Sequence, residues 1–345
     1  MRTKPAEITI LQKALQVFER TTKITAELKD FEVALDTARH ADALIRVMWQ
    51  DLEWYFAAKV KTTLTPGALG AVAHQLQELP EKPILVTKYV TPQVAERLRE
   101  MDIPFIDTAG NAYVNEPPLF IFIKGNRPTL PVRTERPARA FQPTGLQVVF
   151  ALLCNPGLED APFREINRQA KVALGTVGWV MRDLREMGYL ITMGKRGRRL
   201  IQKKDLLMQW ATTYPEQLRP KLAAGRYQAT DFDWWRHATL HNYQAFWGGE
   251  IAAAILTGHL KPQTVTIYTK QPLGRLMVPH RIKKDDDGDI EILNVFWDFE
   301  FKWPHRDLVH PVLIYADLLA TGDPRNIETA KIIYERELTR LIRED

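Results

Sequence analysis

The stretch MGKRGRRLIQKK, from Met193 to Lys204, carries six cations and no acid in twelve residues. Two glycines within it are typical of a tight turn between two short strands. Cationic side chains at such a turn suit contacts with the phosphates of a nucleic acid. The pattern predicts a basic hairpin that binds DNA phosphates through four side chains: Lys195, Arg196, Arg198 and Arg199. A hairpin that is only charged and solvated is the alternative.

Three helices are predicted before this hairpin, in LQVVFALLCNPGLE, PFREINRQAKV and ALGTVGWVMRDLREMG. Three helices followed by a hairpin is the order of a winged helix-turn-helix, whose recognition helix lies in the major groove of DNA. The third helix has one apolar face, formed by Val177, Val180, Met181 and Leu184. We therefore expect base-facing or phosphate-facing residues elsewhere on or beside it: Lys171, Thr176, Trp179 and Arg182. For Trp179, a place in the core or in an interface is the alternative.

A second group of residues, near the N-terminus, has the spacing of a metal site. Asp42 starts one predicted strand, and Lys59 and Lys61 lie on the next. The PD-(D/E)xK nuclease core has an Asp at the start of one strand and an acid-x-Lys on the following strand, and the two acids hold Mg²⁺. Here the second acid is replaced by Lys59, whose charge would repel a divalent cation. We expect a vestigial nuclease site at Asp42, Lys59 and Lys61, without catalysis or metal; an active metal-dependent DNA nuclease targeted by the winged helix is the alternative hypothesis.

WGGEIAAAILTGHL followed by TVTIYTK resembles the opening of a nucleotidyltransferase fold, in which a glycine pair starts a helix. That fold needs two acids one residue apart on the next strand, whereas this sequence has Thr264, Thr266 and Tyr268. We therefore expect no metal catalysis and no cofactor here, and a packing role for Gly248 and Gly249. DDDGD, at 285–289, lacks the ligand spacing of a calcium loop and predicts a polar hairpin turn.

The elements that would position these residues predict a mixed α/β and α+β chain of several domains. A restriction-endonuclease-like α/β domain is expected over 1–124, beginning with two helices, the second in FEVALDTARHA. A linker rich in proline and arginine follows over 125–145, and the winged helix-turn-helix over 146–205. The rest, 206–345, is expected to be an α+β domain of nucleotidyltransferase type, in which IEILNVFWDFEF forms one strand with Asp298 and Glu300 on one face.

The formal net charge of +5 is concentrated in one region. From Phe163 to Lys204 there are eleven Lys and Arg residues and three Asp and Glu residues, whereas the remainder of the chain has more acids than cations. One surface is therefore expected to face an anionic polymer. The single cysteine, Cys154, argues against a disulfide framework. No run approaches the ~20 apolar residues of a membrane span, so we expect a cytoplasmic protein without a membrane partner.

Several of these stretches together resemble the AbiEi-type antitoxin and transcriptional regulators of type IV toxin–antitoxin systems. They are DALIRV…AAKVK, PILVTKYVTPQVAERLREMDIPFIDTAGNAYV, the winged helix, and GGEIAAAILTGHLKPQTVTIYT…PVLIYADLLATGDPRNIETAKIIYE. The resemblance implies a sequence-specific repressor of its own operon, bound to double-stranded operator DNA. It also implies an antitoxin that counteracts a nucleotidyltransferase toxin without a stable complex. Such regulators commonly bind palindromes as homodimers, but the sequence does not define the oligomeric state.

Overall fold

The computed structural model describes residues 5–34, 40–79, 82–128, 138–194, 197–301 and 303–343. The chain forms two compact units, residues 1–135 and 136–345. Both units contain helices and strands, so the chain is mixed α/β with several sheets, and this part of the predicted fold class is confirmed. None of the described helices has the length and apolar character that crossing a membrane requires.

The first unit is built on a seven-stranded sheet whose strands follow one another in chain order. Its elements are α1 (Pro5–Thr22), β1 (Thr25–Ala34), β2 (His40–Trp49), β3 (Leu52–Lys61), α2 (Leu69–Gln77), β4 (Pro83–Thr87), α3 (Pro92–Glu100), β5 (Phe105–Asp107), β6 (Ala112–Glu116) and β7 (Leu119–Ile123). The central strands β3, β4 and β5 are parallel, and the other neighbours are antiparallel. One face of the sheet buries apolar residues against α1, including Leu11 and Phe18.

The prediction of a second helix in this unit, in FEVALDTARHA, is wrong. Phe31–Ala34 belongs to β1, and residues 35–39 of the same stretch lie outside the described part of the chain. The segment TAELKDFEVA contains good helix formers, but its backbone pairs along β2, with Ala26 opposite Val47. Pairing with a neighbouring strand has overridden the local helix propensity.

IDTAGNAYV forms a tight turn around a buried carboxylate. Asp107 accepts hydrogen bonds from the backbone N–H groups of Val90, Ala109 and Asn111, each at 2.8 Å, and from the Asn111 side-chain amide at 2.7 Å. Gly110 has a positive φ of 91°, which glycine adopts without strain. The contacts of Asp107 and Asn111 therefore stabilise the loop at the end of β5.

The second unit begins with three helices and a hairpin and continues into a five-stranded sheet with helices. Its elements are α4 (Pro143–Cys154), α5 (Phe163–Ala170), α6 (Leu174–Glu186), β8 (Leu190–Thr192), β9 (Arg198–Leu200), α7 (Lys203–Gln217), α8 (Arg219–Leu222), β10 (Ala223–Gln228), β11 (Ala245–Gly248), α9 (Gly249–Thr257), β12 (Val265–Thr269), α10 (Gly274–Met277), β13 (Lys283–Lys284), β14 (Ile290–Asn294), α11 (Pro311–Thr321), α12 (Pro324–Ile333), a π-helical turn (Tyr334–Leu338) and α13 (Thr339–Ile342). The sheet order is β11-β12-β14-β10-β13.

An aromatic cluster joins the helices to the sheet in this unit. Phe150 of α4 stacks on Trp210 of α7 at 5.4 Å, and the Trp210 indole donates to the Leu146 carbonyl at 2.8 Å. Phe296 and Trp297 lie 4.9 and 5.6 Å from the same Phe150 ring. The predicted helix bundle and the predicted C-terminal domain therefore pack together within one compact unit.

The same cluster explains why IEILNVFWDFEF is not one strand. β14 ends at Asn294, and the residues after it leave the sheet so that their aromatic rings surround Phe150. Asp298 and Glu300 therefore share no strand face. Instead, the Asp298 N–H donates to the Gln169 carbonyl at the end of α5, at 2.7 Å.

DDDGD forms a turn, but the strands on either side of it are not partners. β13 and β14 both pair with β10, which lies between them, so the turn crosses over the end of β10. A Cβ on Gly288 would lie 2.1 Å from the Tyr227 carbonyl oxygen, which explains the glycine.

Candidate nucleic-acid interface

The recognition helix predicted from the sequence is α6, and its buried face is the predicted one. Val177, Val180, Met181 and Leu184 are all buried. α5 ends at Ala170, and the next residue, Lys171, adopts the left-handed conformation with φ 53° and turns the chain towards α6. Lys171 is exposed, and its Nζ lies 3.5 Å from the Val295 carbonyl. The remaining side of α6 therefore faces outward.

The outward side of α6 is centred on Trp179, whose exposed fraction is 43%. A core position for this residue is thereby excluded. Two guanidinium groups lie over its indole: the Cζ of Arg139 at 4.1 Å and that of Arg182 at 4.5 Å. Such cation–π contacts fix an exposed aromatic ring in one orientation.

Two glycines precede Trp179 on the helix, at the second and fifth positions of α6, and neither has a packing reason. A Cβ built on Gly175 or on Gly178 would meet no atom within 4 Å. Glycine in a helix interior costs about 1 kcal/mol relative to alanine, so an open position of this kind needs another explanation. Close approach of a partner to the helix backbone provides one. Thr176, the remaining predicted contact on this helix, is partly exposed.

A groove of about 350 Å³ separates α6 from the hairpin. Its lining includes Trp179, Arg182, Arg185, Thr192 and Arg198. Three of the ten described lining residues are arginines, and none of the ten is acidic. The groove is therefore suited to an anionic ligand.

The hairpin forms as predicted, with Leu190 opposite Leu200 and Thr192 opposite Arg198. Both leucines are buried and fasten the hairpin to the helices. At the tip, the Met193 N–H donates to the Gly197 carbonyl at 2.8 Å. Lys195 and Arg196, the two predicted phosphate ligands at the tip, lie outside the described residues.

Arg198 contacts the protein itself. Its backbone N–H donates to Asp160 Oδ1 at 2.9 Å, its guanidinium donates to the Ala161 carbonyl at 2.8 Å, and its Cζ lies 4.7 Å from the centre of the Phe163 ring. A Cβ on Gly197, where φ is 82°, would lie 2.2 Å from Asp160 Oδ1. Arg198 thus anchors the hairpin to the loop before α5, and Arg199, half-buried, follows it on the other side of the strand.

Two further outward arginines belong to this surface, and only Arg185 was not considered from the sequence. Arg185 is exposed and lies three residues after Arg182, a helical spacing that could have revealed it. Arg139 lies within the predicted linker, in a short 3₁₀ turn, and no local signal connects it to Trp179. We call the set Arg139, Gly175, Gly178, Trp179, Arg182 and Arg185 the α6 surface.

The predicted nuclease site contains an ion pair. Lys59 Nζ lies 3.3 Å from Asp42 Oδ1, and the Val60 N–H donates to Asp42 Oδ2 at 2.8 Å. Asp42 therefore already has a cation and a backbone donor, and Lys61 lies two residues further along β3. The residues do not fit a divalent metal. Nowhere in the described residues do three or more His, Cys, Asp or Glu side chains form a group able to hold one.

Gly248 and Gly249 permit close packing at the start of α9, as predicted. A Cβ on Gly248 would lie 2.6 Å from the Tyr268 ring, and one on Gly249 would lie 2.7 Å from Thr266 Oγ1. Thr266 and Tyr268 are both buried, so the positions that would need acids for metal binding belong to the packed core.

A buried polar network that sequence reasoning missed lies beside these glycines. The Arg219 guanidinium donates to both carboxylate oxygens of Glu291, at 2.9 and 2.6 Å, and to Asp317 Oδ1 at 3.1 Å. The hydroxyls of Tyr214 and Tyr268 donate to the same Asp317 oxygen, at 3.2 and 3.0 Å. Burial raises the pKa of Asp317 above its ordinary value, and the guanidinium opposes that rise. Arg219 thereby supplies charge-assisted hydrogen bonds to two carboxylates from within the chain.

Comparison with known proteins gave one match. The family model described as "Transcriptional regulator, AbiEi antitoxin, Type IV TA system" matches residues 199–339. The matched segment starts in β9 and runs through the five-stranded sheet to the start of α13, and it covers less than half of the chain. No curated protein and no solved structure matched the chain significantly. The resemblance to AbiEi-type transcriptional regulators and antitoxins is therefore confirmed over residues 199–339.

Proposed function

We propose that the protein is a sequence-specific DNA-binding transcriptional regulator that represses its own promoter and acts as the antitoxin of a type IV system. The family match supports the regulator and antitoxin assignment in general terms. The observation that supports DNA binding is the α6 surface, where exposed Trp179, Arg182 and Arg185 lie beside a groove without acidic lining. In this proposal, α4 to α6 and the β8–β9 hairpin form a winged helix-turn-helix.

The proposed docking places α6 in the major groove of a DNA duplex, where base edges are distinguishable. Lys195 and Arg196 at the hairpin tip, together with Arg199, contact flanking phosphates, whereas Arg198 holds the hairpin in place. In this docking, exposed Lys171 and partly exposed Thr176 lie at the edge of the contact between α6 and the DNA major groove. Phosphate contacts supply affinity and salt dependence, and the α6 surface supplies sequence preference.

A mobility-shift assay on the protein's own upstream DNA, at two salt concentrations, tests this proposal. Arg182→Ala is expected to weaken specific binding by roughly 1–3 kcal/mol, the usual cost of losing one base-reading arginine. Arg340→Ala is the matched control, since Arg340 is also an exposed helical arginine and lies on α13. Equal binding by the wild type and Arg182→Ala would contradict the assignment of α6, and the absence of any shift would contradict DNA binding altogether.

The antitoxin role needs a separate experiment, because antitoxin action and repression are independent properties. The expected partner is a nucleotidyltransferase toxin that is counteracted without a stable complex. Co-expression of the full chain with a nucleotidyltransferase encoded next to it should restore growth, and Arg182→Ala should restore growth equally well. Failure of the folded wild-type chain to restore growth would refute the antitoxin role while leaving the DNA-binding proposal intact.

The alternative hypothesis, a metal-dependent nuclease, finds no support in the first unit, because Lys59 pairs with Asp42 where a second metal-binding acid would be needed. Plasmid DNA incubated with the protein and Mg²⁺ should therefore stay intact. Cleavage that Asp42→Ala abolishes would establish the nuclease instead.

A further inference from the structure

The α6 surface contains an aromatic ring held in place for contact. Trp179 is exposed to 43%, and the guanidinium groups of Arg139 and Arg182 both lie over its indole. The neighbouring positions one turn and one residue earlier are Gly175 and Gly178, which project no side chain. An apolar ring is therefore presented in a cationic setting, with Arg182 over it on the C-terminal side and no side chain at the two glycine positions before it.

Arg182 is oriented by the same stacking. Within the part of the chain that the structure describes, its guanidinium has no ion-pair or hydrogen-bond partner, and its N–H groups are available to a ligand. A planar guanidinium that is already stacked loses little further freedom when it donates two parallel hydrogen bonds. The O6 and N7 atoms of guanine are the acceptors in the major groove that match this geometry.

The separation of the two side chains along the helix axis is comparable to, though larger than, the separation of adjacent base pairs. Residues three apart in an α-helix are separated by roughly 4.5 Å along its axis, whereas stacked base pairs are about 3.4 Å apart. Trp179 and Arg182 can therefore face adjacent base pairs. Beside a guanine-reading arginine, an apolar ring suits the 5-methyl group of thymine, the one apolar group that the major groove presents.

We propose that Trp179 and Arg182 read two adjacent base pairs, an inference that rests on the proposed DNA binding. Trp179 contacts a thymine methyl group, and Arg182 donates two hydrogen bonds to guanine. Arg139 is a positioning residue that holds the Trp179 indole. The open positions at Gly175 and Gly178 let the helix come close enough for these contacts.

Single-atom changes in the DNA test the proposal. The probe is the operator fragment footprinted from the protein's own upstream DNA, with each thymine replaced in turn by uracil and each guanine by 7-deazaguanine. At one thymine, loss of the methyl should weaken wild-type binding by about fourfold, the value of one buried methyl-sized group. At the adjacent base pair, loss of guanine N7 should weaken it by roughly tenfold.

The variants assign each effect to its side chain. Trp179→Ala should abolish the uracil effect and only diminish the 7-deazaguanine effect, since Arg182 keeps its donors but loses the ring that orients it. Arg182→Ala should abolish the 7-deazaguanine effect and keep most of the uracil effect, since Arg139 still lies over the indole. Arg139→Ala should diminish the uracil effect alone. Arg340→Ala, on α13, is the control, because its loss should leave both base effects at wild-type size.

Two kinds of failure are distinguishable. Base effects that are the same size in Trp179→Ala and Arg182→Ala as in the wild type would overturn the reading proposal while DNA binding stands. The same holds if the sensitive thymine and guanine are not adjacent. Absence of any footprint, even at low salt, would instead refute the proposed function on which this inference rests.

Discussion

Replacing Gly178 by alanine should stabilise the protein and weaken DNA binding at the same time. Gly178 is the fifth residue of the thirteen-residue helix α6, and a Cβ there meets no atom within 4 Å. Alanine is favoured over glycine in helix interiors by about 0.5–1 kcal/mol. In a unit of this size, that gain should raise the melting temperature by roughly 2–4 °C per kcal/mol.

The effect on DNA should have the opposite sign. If α6 lies against base edges, the added methyl group enters a close-packed interface, where overpacking costs about 1–3 kcal/mol. Specific affinity should then fall by roughly 5- to 150-fold. Thermal unfolding by circular dichroism gives the first quantity, and a fluorescence-anisotropy titration of the operator fragment at fixed salt gives the second.

The matched control is Gly274→Ala, since Gly274 is also a helical glycine with open space around the added Cβ, at the start of α10. This control should leave operator affinity unchanged. A Gly178→Ala protein that is more stable yet binds the operator as tightly as the wild type would refute close approach at this helix. A less stable Gly178→Ala protein would show that the position is not open and would refute the structural premise.

Three further predictions concern charge. The double variant Lys195→Ala and Arg196→Ala should weaken binding to all DNA sequences similarly. Titrations over a range of salt should show that the slope of log affinity against log salt concentration falls by about 0.9 per lost phosphate contact. An unchanged slope would exclude the hairpin tip from the interface. Arg219→Ala should cost about 3–5 kcal/mol of unfolding free energy in urea titrations, because Asp317 and Glu291 lose their buried cation; a cost below 1 kcal/mol would refute that view. Burial lowers the pKa of His310 to about 3, and its ring accepts the Val312 N–H at 3.2 Å. The unfolded imidazole takes up a proton below about pH 6.5, so unfolding free energy should decrease as pH falls from 6.5 towards 3, and His310→Asn, which keeps an acceptor but does not titrate, should flatten that decrease.

The elements carrying the candidate interface could be predicted because their signals are local. The apolar face of α6 repeats at helical spacing, and the glycines of the hairpin mark its turn. The errors occurred where distant contacts decide the structure. Residues 25–34 have a helix-forming composition, but β2 pairs with them along their length, and residues 295–301 leave the sheet because their rings pack around Phe150.

The roles of individual arginines were harder to predict than the elements that carry them. Arg198 and Arg199 are adjacent in a basic run, and nothing in that run shows that Arg198 donates to the Ala161 carbonyl. Its inward orientation depends on the loop before α5, whose acidic Asp160 accepts its backbone N–H. Likewise, Arg139 reaches Trp179 only because the chain before α4 folds back over α6. Charge counts predict that a surface is basic, whereas the outward side chains are determined by tertiary contacts.

The two units share a physical feature in the way that they pair their charged side chains. In each, a cationic side chain lies against carboxylates: Lys59 beside Asp42, and Arg219 between Glu291 and Asp317. A cation supplied by the chain offsets the charge of these carboxylates, and a divalent metal at the same place would meet its repulsion. Neither group of residues is therefore suited to a divalent metal, whereas the concentrated positive charge of the sequence lies in the region of α5, α6 and the hairpin.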